Sequence, residues 1–269
     1  MEIVFDKVNY KTGYSLDNLS FSFKTGGIYG LVIEDFSSIY NLITLNKRPN
    51  SGTVQIDDLI IKRTNSLNEV PDLKDKVGYV RNVFKSEFSC ETVADEISLS
   101  MKEHNYKPKD FLKHIKDSLI IAGLDLEFLD RNPNTLSLTE QKKLLFAKAV
   151  SYNPEVLIIE DFDKDFTSRE KDYFKKILKK LRVKFKKTII LIADNVELFF
   201  ELVDGVYVIR KGKVVLNGAD DIFYSKKLYD YVKLPKIIEF TNYVNSQGHK
   251  ILKYVDLKEL IKELYRKIK

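Results

Sequence analysis

A single cysteine, Cys90, excludes an internal disulfide, so packing and hydrogen bonding must hold this chain together. Nor is there a run of about 18 apolar residues, which excludes a hydrophobic helix spanning a bilayer. The start, Met1-Glu2-Ile3-Val4-Phe5-Asp6, lacks the basic and apolar regions of a secretory signal. A cytoplasmic protein is expected. Histidine is confined to His104, His114 and His249, and glutamine to Gln55, Gln141 and Gln247, so chemistry needing either side chain has few places to occur.

The 269 residues are 44% hydrophobic and 31% charged, enough for one large domain, or a domain with an extension, around a sizeable core. The net charge of +6 and pI near 9.0 fit nucleic acid, an anionic membrane or no specific partner. The densest basic stretch, Lys175 to Lys187, interleaves lysines with Phe174, Ile177, Leu178 and Leu181. That is one apolar and one charged stripe of a helix, read as a solvated face rather than a nucleic-acid patch.

The opening reads as β: Glu2 to Val8, the alternating Leu19 to Phe23, a Gly26-Gly27 turn, the apolar run Ile28 to Ile33, then Thr53 to Ile56. Helical periodicity takes over from Thr92 to Ser151, with a loop at Asn132-Pro133-Asn134. Then come a strand at Val156 to Ile159, a helix from Ser168 to about Lys186, a strand at Thr188 to Ile192, a helix at Val196 to Leu202, and strands at Val206 to Ile209 and Lys213 to Leu216. Short apolar strands between amphipathic helices imply a parallel sheet covered on both faces. Pro235 to Val244 and Leu257 to Ile268 read as helices of a C-terminal extension.

Six blocks, in order, carry a resemblance: Gly26-Gly27-Ile28-Tyr29-Gly30-Leu31-Val32, Arg48-Pro49-Asn50-Ser51-Gly52-Thr53-Val54, Val77-Gly78-Tyr79-Val80, Leu136-Ser137, Asn153-Pro154-Glu155-Val156-Leu157-Ile158-Ile159 and Arg210-Lys211-Gly212-Lys213-Val214. Together they resemble the ATP-binding-cassette ATPases of membrane transporters. The tail, Leu234-Pro235-Lys236-Ile237 through Leu257-Lys258-Glu259-Leu260, is similar to the extension of the energy-coupling-factor type, which powers micronutrient importers.

The resemblance implies an α/β fold of the P-loop NTPase kind: a mixed sheet core, an antiparallel β subdomain, an inserted helical subdomain and a helical extension. It divides the chain into a cassette at residues 1–224, with helices inserted at about 92–152, and an extension at 225–269 that is a candidate dimerisation element. A phosphate-binding loop should follow the strand that ends near Val32. Such a loop needs glycines whose backbone N–H groups converge on phosphate, then a lysine, then a hydroxyl for Mg²⁺. Ile33-Glu34-Asp35-Phe36-Ser37-Ser38-Ile39-Tyr40-Asn41-Leu42-Ile43-Thr44 has neither glycine nor lysine. Measured from Gly30 to Pro49, the stretch is also short of the family pattern by about three residues. Ser37 and Ser38 fall where the terminal hydroxyls belong, while Glu34 and Asp35 bring carboxylates that repel a triphosphate. A plain strand-to-helix turn capped by Asp or Ser is the favoured reading.

The other family positions are altered as well. The metal-binding Asp and catalytic Glu expected after the strand at Val156 are reversed to Glu160-Asp161, a change of one methylene at each, and misplacement on that scale can cost roughly a hundredfold in rate. They read as strand-end acids or as a vestigial metal site, with Ser37 and Glu160 the candidate Mg²⁺ ligands. The signature segment Leu136-Ser137-Leu138-Thr139-Glu140-Gln141 has lost both glycines, while Ser137 and Glu140 make a capping box. Asn82 stands where the family has glutamine, and Asp194 where it has the switch histidine. Tyr10 and Tyr14 are candidates for stacking on adenine. Phe88-Ser89-Cys90-Glu91-Thr92-Val93 resembles the segment that docks on the transmembrane coupling protein.

The expectation is thus a non-catalytic subunit of an importer, peripheral on the inner face of the cell membrane and paired with a homologous ATPase in a heterodimer. Binding of ATP and Mg²⁺ is doubtful and nucleic acid is not a partner. Two alternatives stand beside it: an active ATPase with a divergent loop using Ser37, Ser38 and Glu160, and a soluble scaffold or regulator without a transport role.

Overall fold

The computed structural model describes residues 1–66, 73–81, 88–200, 202–233, 235–248, 251 and 257–268. Its centre is a six-stranded sheet in the order β10-β9-β3-β8-β7-β6, built from β3 (Ile28–Val32), β6 (Val77–Val80), β7 (Val156–Glu160), β8 (Thr188–Ile192), β9 (Gly205–Arg210) and β10 (Lys213–Gly218). All pairs are parallel except β9 with β10. A second, antiparallel sheet in the order β2-β1-β4-β5 uses β1 (Ile3–Tyr10), β2 (Leu16–Phe23), β4 (Ser51–Ile56) and β5 (Leu59–Ile61).

Side-chain alternation along the parallel strands divides the core in two. Tyr29, Leu31, Val156, Ile158, Ile190 and Ile192 face the antiparallel sheet and the short helix α1 (Ser37–Ile43). Ile28, Val32, Leu157, Ile159, Ile189 and Leu191 face the helical layer. That layer holds α2 (Val93–Glu103), α3 (Phe111–Ile121), α4 (Leu138–Ser151) and α5 (Ser168–Phe185). Burial on both faces explains why these strands read as unbroken apolar runs. Position 30 faces the same side as Ile28 and Val32 and is glycine there, since a Cβ would come within 2.6 Å of the Phe199 ring.

The expected strand at Thr188 to Ile192 and the helices at Ser168, Pro235 and Leu257 occur, the last two as α6 (Lys236–Ser246) and α7 (Leu257–Ile268). The helix expected at Val196 to Leu202 does not. It is a single 3-10 turn, Val196–Phe199, after which Phe200 turns extended. Val196, Leu198, Phe199, Phe200 and Leu202 are all buried, so this apolar run fills the core without forming an amphipathic helix.

Candidate functional site: a carboxylate-lined cleft at the strand ends

Because β3, β7, β8 and β9 run parallel, the residues that follow them emerge at one edge of the sheet, where α/β folds place ligands. A cleft of about 480 Å³ opens there. Four carboxylates line it, Glu34, Glu160, Asp161 and Asp194, together with one guanidinium, Arg210. Ile33, Ile192 and Ala193 supply the rest of the wall. Glu34, Glu160, Asp161 and Asp194 stand at altered family positions, whereas Arg210 opens the block Arg210-Lys211-Gly212-Lys213-Val214 and no motif marks it as a site residue.

The turn from β3 into α1 is closed by bonds within the chain. The Glu34 carboxylate accepts the Tyr14 hydroxyl proton and the Lys211 N–H at 3.0 Å. The Tyr14 hydroxyl in turn accepts the Gly212 N–H at 3.0 Å. These contacts tie the β1–β2 turn, the loop after β3 and the β9–β10 turn together. The Tyr14 bond, backed by the Lys211 N–H, holds the Glu34 carboxyl below the usual range, and burial followed by the Glu34 bond raises the Tyr14 phenol. Gly212 makes the approach possible: it has φ +74°, and a Cβ there would lie 2.0 Å from the Ser15 carbonyl oxygen.

The cap of α1 differs from the expectation of an Asp or Ser at the N-cap. That position is Phe36, with no side-chain cap, and Asp35 one residue earlier accepts the Ser37 N–H at 2.7 Å. Ser38 is buried and its hydroxyl donates to the Tyr14 carbonyl at 2.6 Å. Ser37 is exposed, and neither serine lines the cleft. Tyr10 is 4% exposed within the core beside β2, which leaves no face of its ring open for stacking, whereas Tyr14 is half-buried.

At the end of β7, Glu160 accepts the Tyr79 hydroxyl at 3.0 Å, and burial with this carboxylate raises the Tyr79 phenol strongly. Asp161 takes φ +45°, donates its N–H to Ile192 O at 2.8 Å and binds the Lys164 ammonium at 2.6 Å. The Asp161 bond raises the Lys164 pKa. No sequence motif announced Tyr79 or Lys164 as partners of these acids. Asp194, exposed at the cleft, follows Ala193, whose N–H bonds Leu31 O. Asn82 lies outside the described residues, as does His249.

The signature segment sits in the helical layer rather than in the cleft. Leu136 is buried, and Ser137 caps α4 with both bonds of a capping box to Glu140. Upstream, Glu96 is fully buried on α2, paired with Lys148, and accepts the Ser89 and Cys90 N–H groups at 2.5 and 2.8 Å. The segment resembling the docking element is thus anchored to α2 and α4. His104 stacks on Tyr152 and bonds Asp75, and the His114 ring bonds Ser151 O. Both act in packing.

A family profile described as "ABC transporter" matches residues 16–162, more than half of the chain. This chain belongs to the ABC transporter family. Within it, the chain is 24% identical over 261 residues to the energy-coupling factor transporter ATP-binding protein EcfA2 of Streptococcus thermophilus, covering 88% of this chain and 93% of that one. It is 29% identical over 208 residues to the protein of the same name from Clostridium tetani, covering 76% and 72%. Two solved structures share the fold. The ATP-binding cassette MJ0796, a dimer bound to ADP and Pi, gives a TM-score of 0.68 at 20% identity over 81% of this chain and 98% of that one. Clostridium perfringens cbiO1, part of the ABC transporter complex cbiONQ, gives 0.68 at 19% identity over 91% and 94%. The fold is therefore the α/β cassette that the sequence blocks implied.

Proposed function

We propose that this chain is a nucleotide-binding-domain-like subunit of an energy-coupling-factor or ABC-type importer, and that it acts as the non-catalytic partner of a homologous, competent ATPase beneath a transmembrane coupling protein. The names of the relatives support the transporter role, since they are energy-coupling factor transporter ATP-binding proteins. In this reading residues 1–224 are the cassette, the helices at about 92–152 carry the docking surface, and 225–269 serve pairing. A transmembrane partner docks the chain at the inner face in this reading, and among the described residues no helix is long and apolar enough to cross a membrane.

One observation carries the non-catalytic part: Glu34, in the turn where the fold would cradle phosphate, is itself bonded to Tyr14 and to the Lys211 N–H. The residues present do not fit a magnesium triphosphate. Four carboxylates face one guanidinium in the cleft, and a triphosphate placed there meets net like-charge repulsion. The Ser38 hydroxyl is committed to the Tyr14 carbonyl. Among the described residues no group of His, Cys, Asp and Glu is arranged to hold a metal ion. A dimer of this chain with an intact homologue would then keep at most one strong nucleotide site.

Steady-state ATPase rates test this, measured for the purified chain and for its complex with a homologous cassette carrying a complete phosphate loop. The chain alone should give no turnover above buffer, and Glu160→Gln in the complex should leave the rate unchanged. Turnover by the chain alone that Ser37→Ala and Glu160→Gln abolish would establish the divergent-loop ATPase instead. A chain that never co-purifies with membranes or with a cassette would make it a soluble scaffold.

A further inference from the structure

The sequence between Tyr173 and Lys187 contains eight cationic residues and no acid; Asp172, one residue earlier, is the last carboxylate of α5. Three of the eight are engaged inside the fold. Arg182 pairs with Asp204 at 2.7 Å, the buried Lys187 ammonium donates to Asn153 and Pro154, and Lys175 reaches the Phe200 carbonyl. The remaining five, Lys176, Lys179, Lys180, Lys184 and Lys186, are exposed and make no ion pair with a described residue.

Their spacing is not scattered. Positions 176, 179, 180, 183 and 184 follow the i, i+3, i+4, i+7, i+8 pattern of one helical face, opposite the buried Phe174, Leu178 and Leu181. Val183 stands among these charges, while Phe185 ends the helix on the side of Phe174, Leu178 and Leu181. Val183 is 78% exposed and Phe185 46%, with the Lys184 ammonium 5.8 Å from the Phe185 ring centre. Burying neither side chain in the fold leaves apolar area in water that a partner can cover.

We infer that this face of α5 binds an anionic lipid surface directly, without help from a membrane protein. Lipid headgroups offer a diffuse negative field to the lysines and a headgroup–acyl boundary to Val183, a combination that clustered lysines on amphipathic helices meet. The composition argues against a docked phosphate of nucleic acid. All five free cations are lysine, a point charge, where arginine supplies the planar fork that engages individual phosphates. Position supports the inference as well. The end of α5 lies beside Gly26, at the edge where β3 and β8 begin, so lipid contact there leaves the cleft at the opposite strand ends free for a protein partner.

The test uses the full chain and protein-free vesicles, with no nucleotide, so its outcome is independent of the cleft and of any importer subunit. Co-sedimentation is measured with phosphatidylcholine vesicles and with phosphatidylcholine–phosphatidylglycerol vesicles. Binding is expected only to the anionic vesicles, and it should vanish near 1 M salt, where the screening length falls to roughly 3 Å. Each lysine near the surface contributes about fivefold in partitioning, so the triple variant Lys179→Gln, Lys180→Gln, Lys184→Gln should bind on the order of a hundredfold more weakly. These side chains are exposed, and an unchanged thermal melt confirms the fold. A Val183→Ser variant should lose a smaller factor while keeping the salt dependence. Equal binding to neutral vesicles, or a triple variant that binds like the parent chain, overturns the inference. So does duplex RNA that binds more tightly than anionic vesicles and is lost in the same triple variant.

Discussion

Two turns leave the same edge of the central sheet, and they are built differently. From β3 the chain passes through Ile33 to Phe36 into a helix of 7 residues whose N-cap, Phe36, offers no side-chain acceptor. From β7 it passes through Asp161 to Phe166 into a helix of 18 residues that opens on a complete capping box, Thr167 with Glu170, reinforced by Lys143 at 2.7 Å. The second turn is fixed by local rules that any sequence reader could apply. The first is held from outside, by Tyr14 and the β9–β10 turn. Apolar patterning and caps hold the cassette fold, while the turn after β3 is an internally bonded joint.

Breaking the scaffold side should cost most. Phe146, fully buried among Phe162 and Phe174, should lose about 3–5 kcal/mol on Phe146→Ala, read from urea unfolding. Next comes Glu96→Gln, which leaves Lys148 without its carboxylate in a buried setting and should cost about 2–3 kcal/mol in the same assay. Thr167→Ala removes one half of a capping box and should cost about 1 kcal/mol, against a few tenths for Asp35→Ala at the weaker turn.

The pH dependence sharpens the contrast further. The Lys143 bond, with the Thr167 N–H and hydroxyl, lowers the Glu170 pKa from 4.5 to about 2. A folded-state value below the unfolded one gives stability that is fully present above about 4.5 and is lost as pH falls toward about 2. Glu170→Gln should therefore flatten part of the acid limb of a melting-temperature profile across that window. The smallest effect is expected at the exposed joint itself, where Tyr14→Phe and Glu34→Gln should each change stability by about 0.5 kcal/mol or less, with near-equal loss in the double variant.

Much of this architecture could be read from residues alone. Thr188 to Ile192 is a pure apolar run of strand length and forms as expected, and the Ser137–Glu140 pair announces α4 through spacing that needs no partner elsewhere. What escaped depends on distant contacts. β6 is four residues with a glycine, a strand only because β7 lies alongside it. The run after Asn195 spaces Glu197 and Glu201 four residues apart, which periodicity reads as the polar face of a helix, yet burial of Val196, Leu198, Phe199, Phe200 and Leu202 decides on a 3-10 turn. In the cleft, the altered positions Glu34, Glu160, Asp161 and Asp194 were visible as departures from a motif. Their partners were not, since Tyr14 is 20 residues from Glu34 and Tyr79 is 81 from Glu160; β6–β7 pairing brings the second pair together and packing of the β1–β2 turn on the loop after β3 the first.

The central claim is that the turn after β3 is closed by its own carboxylate, and isothermal titration of the purified chain with MgATP addresses it most directly. The account predicts no saturable heat up to millimolar nucleotide, unchanged in Glu34→Gln. A one-site isotherm with micromolar affinity that Ser37→Ala or Ser38→Ala weakens would contradict it.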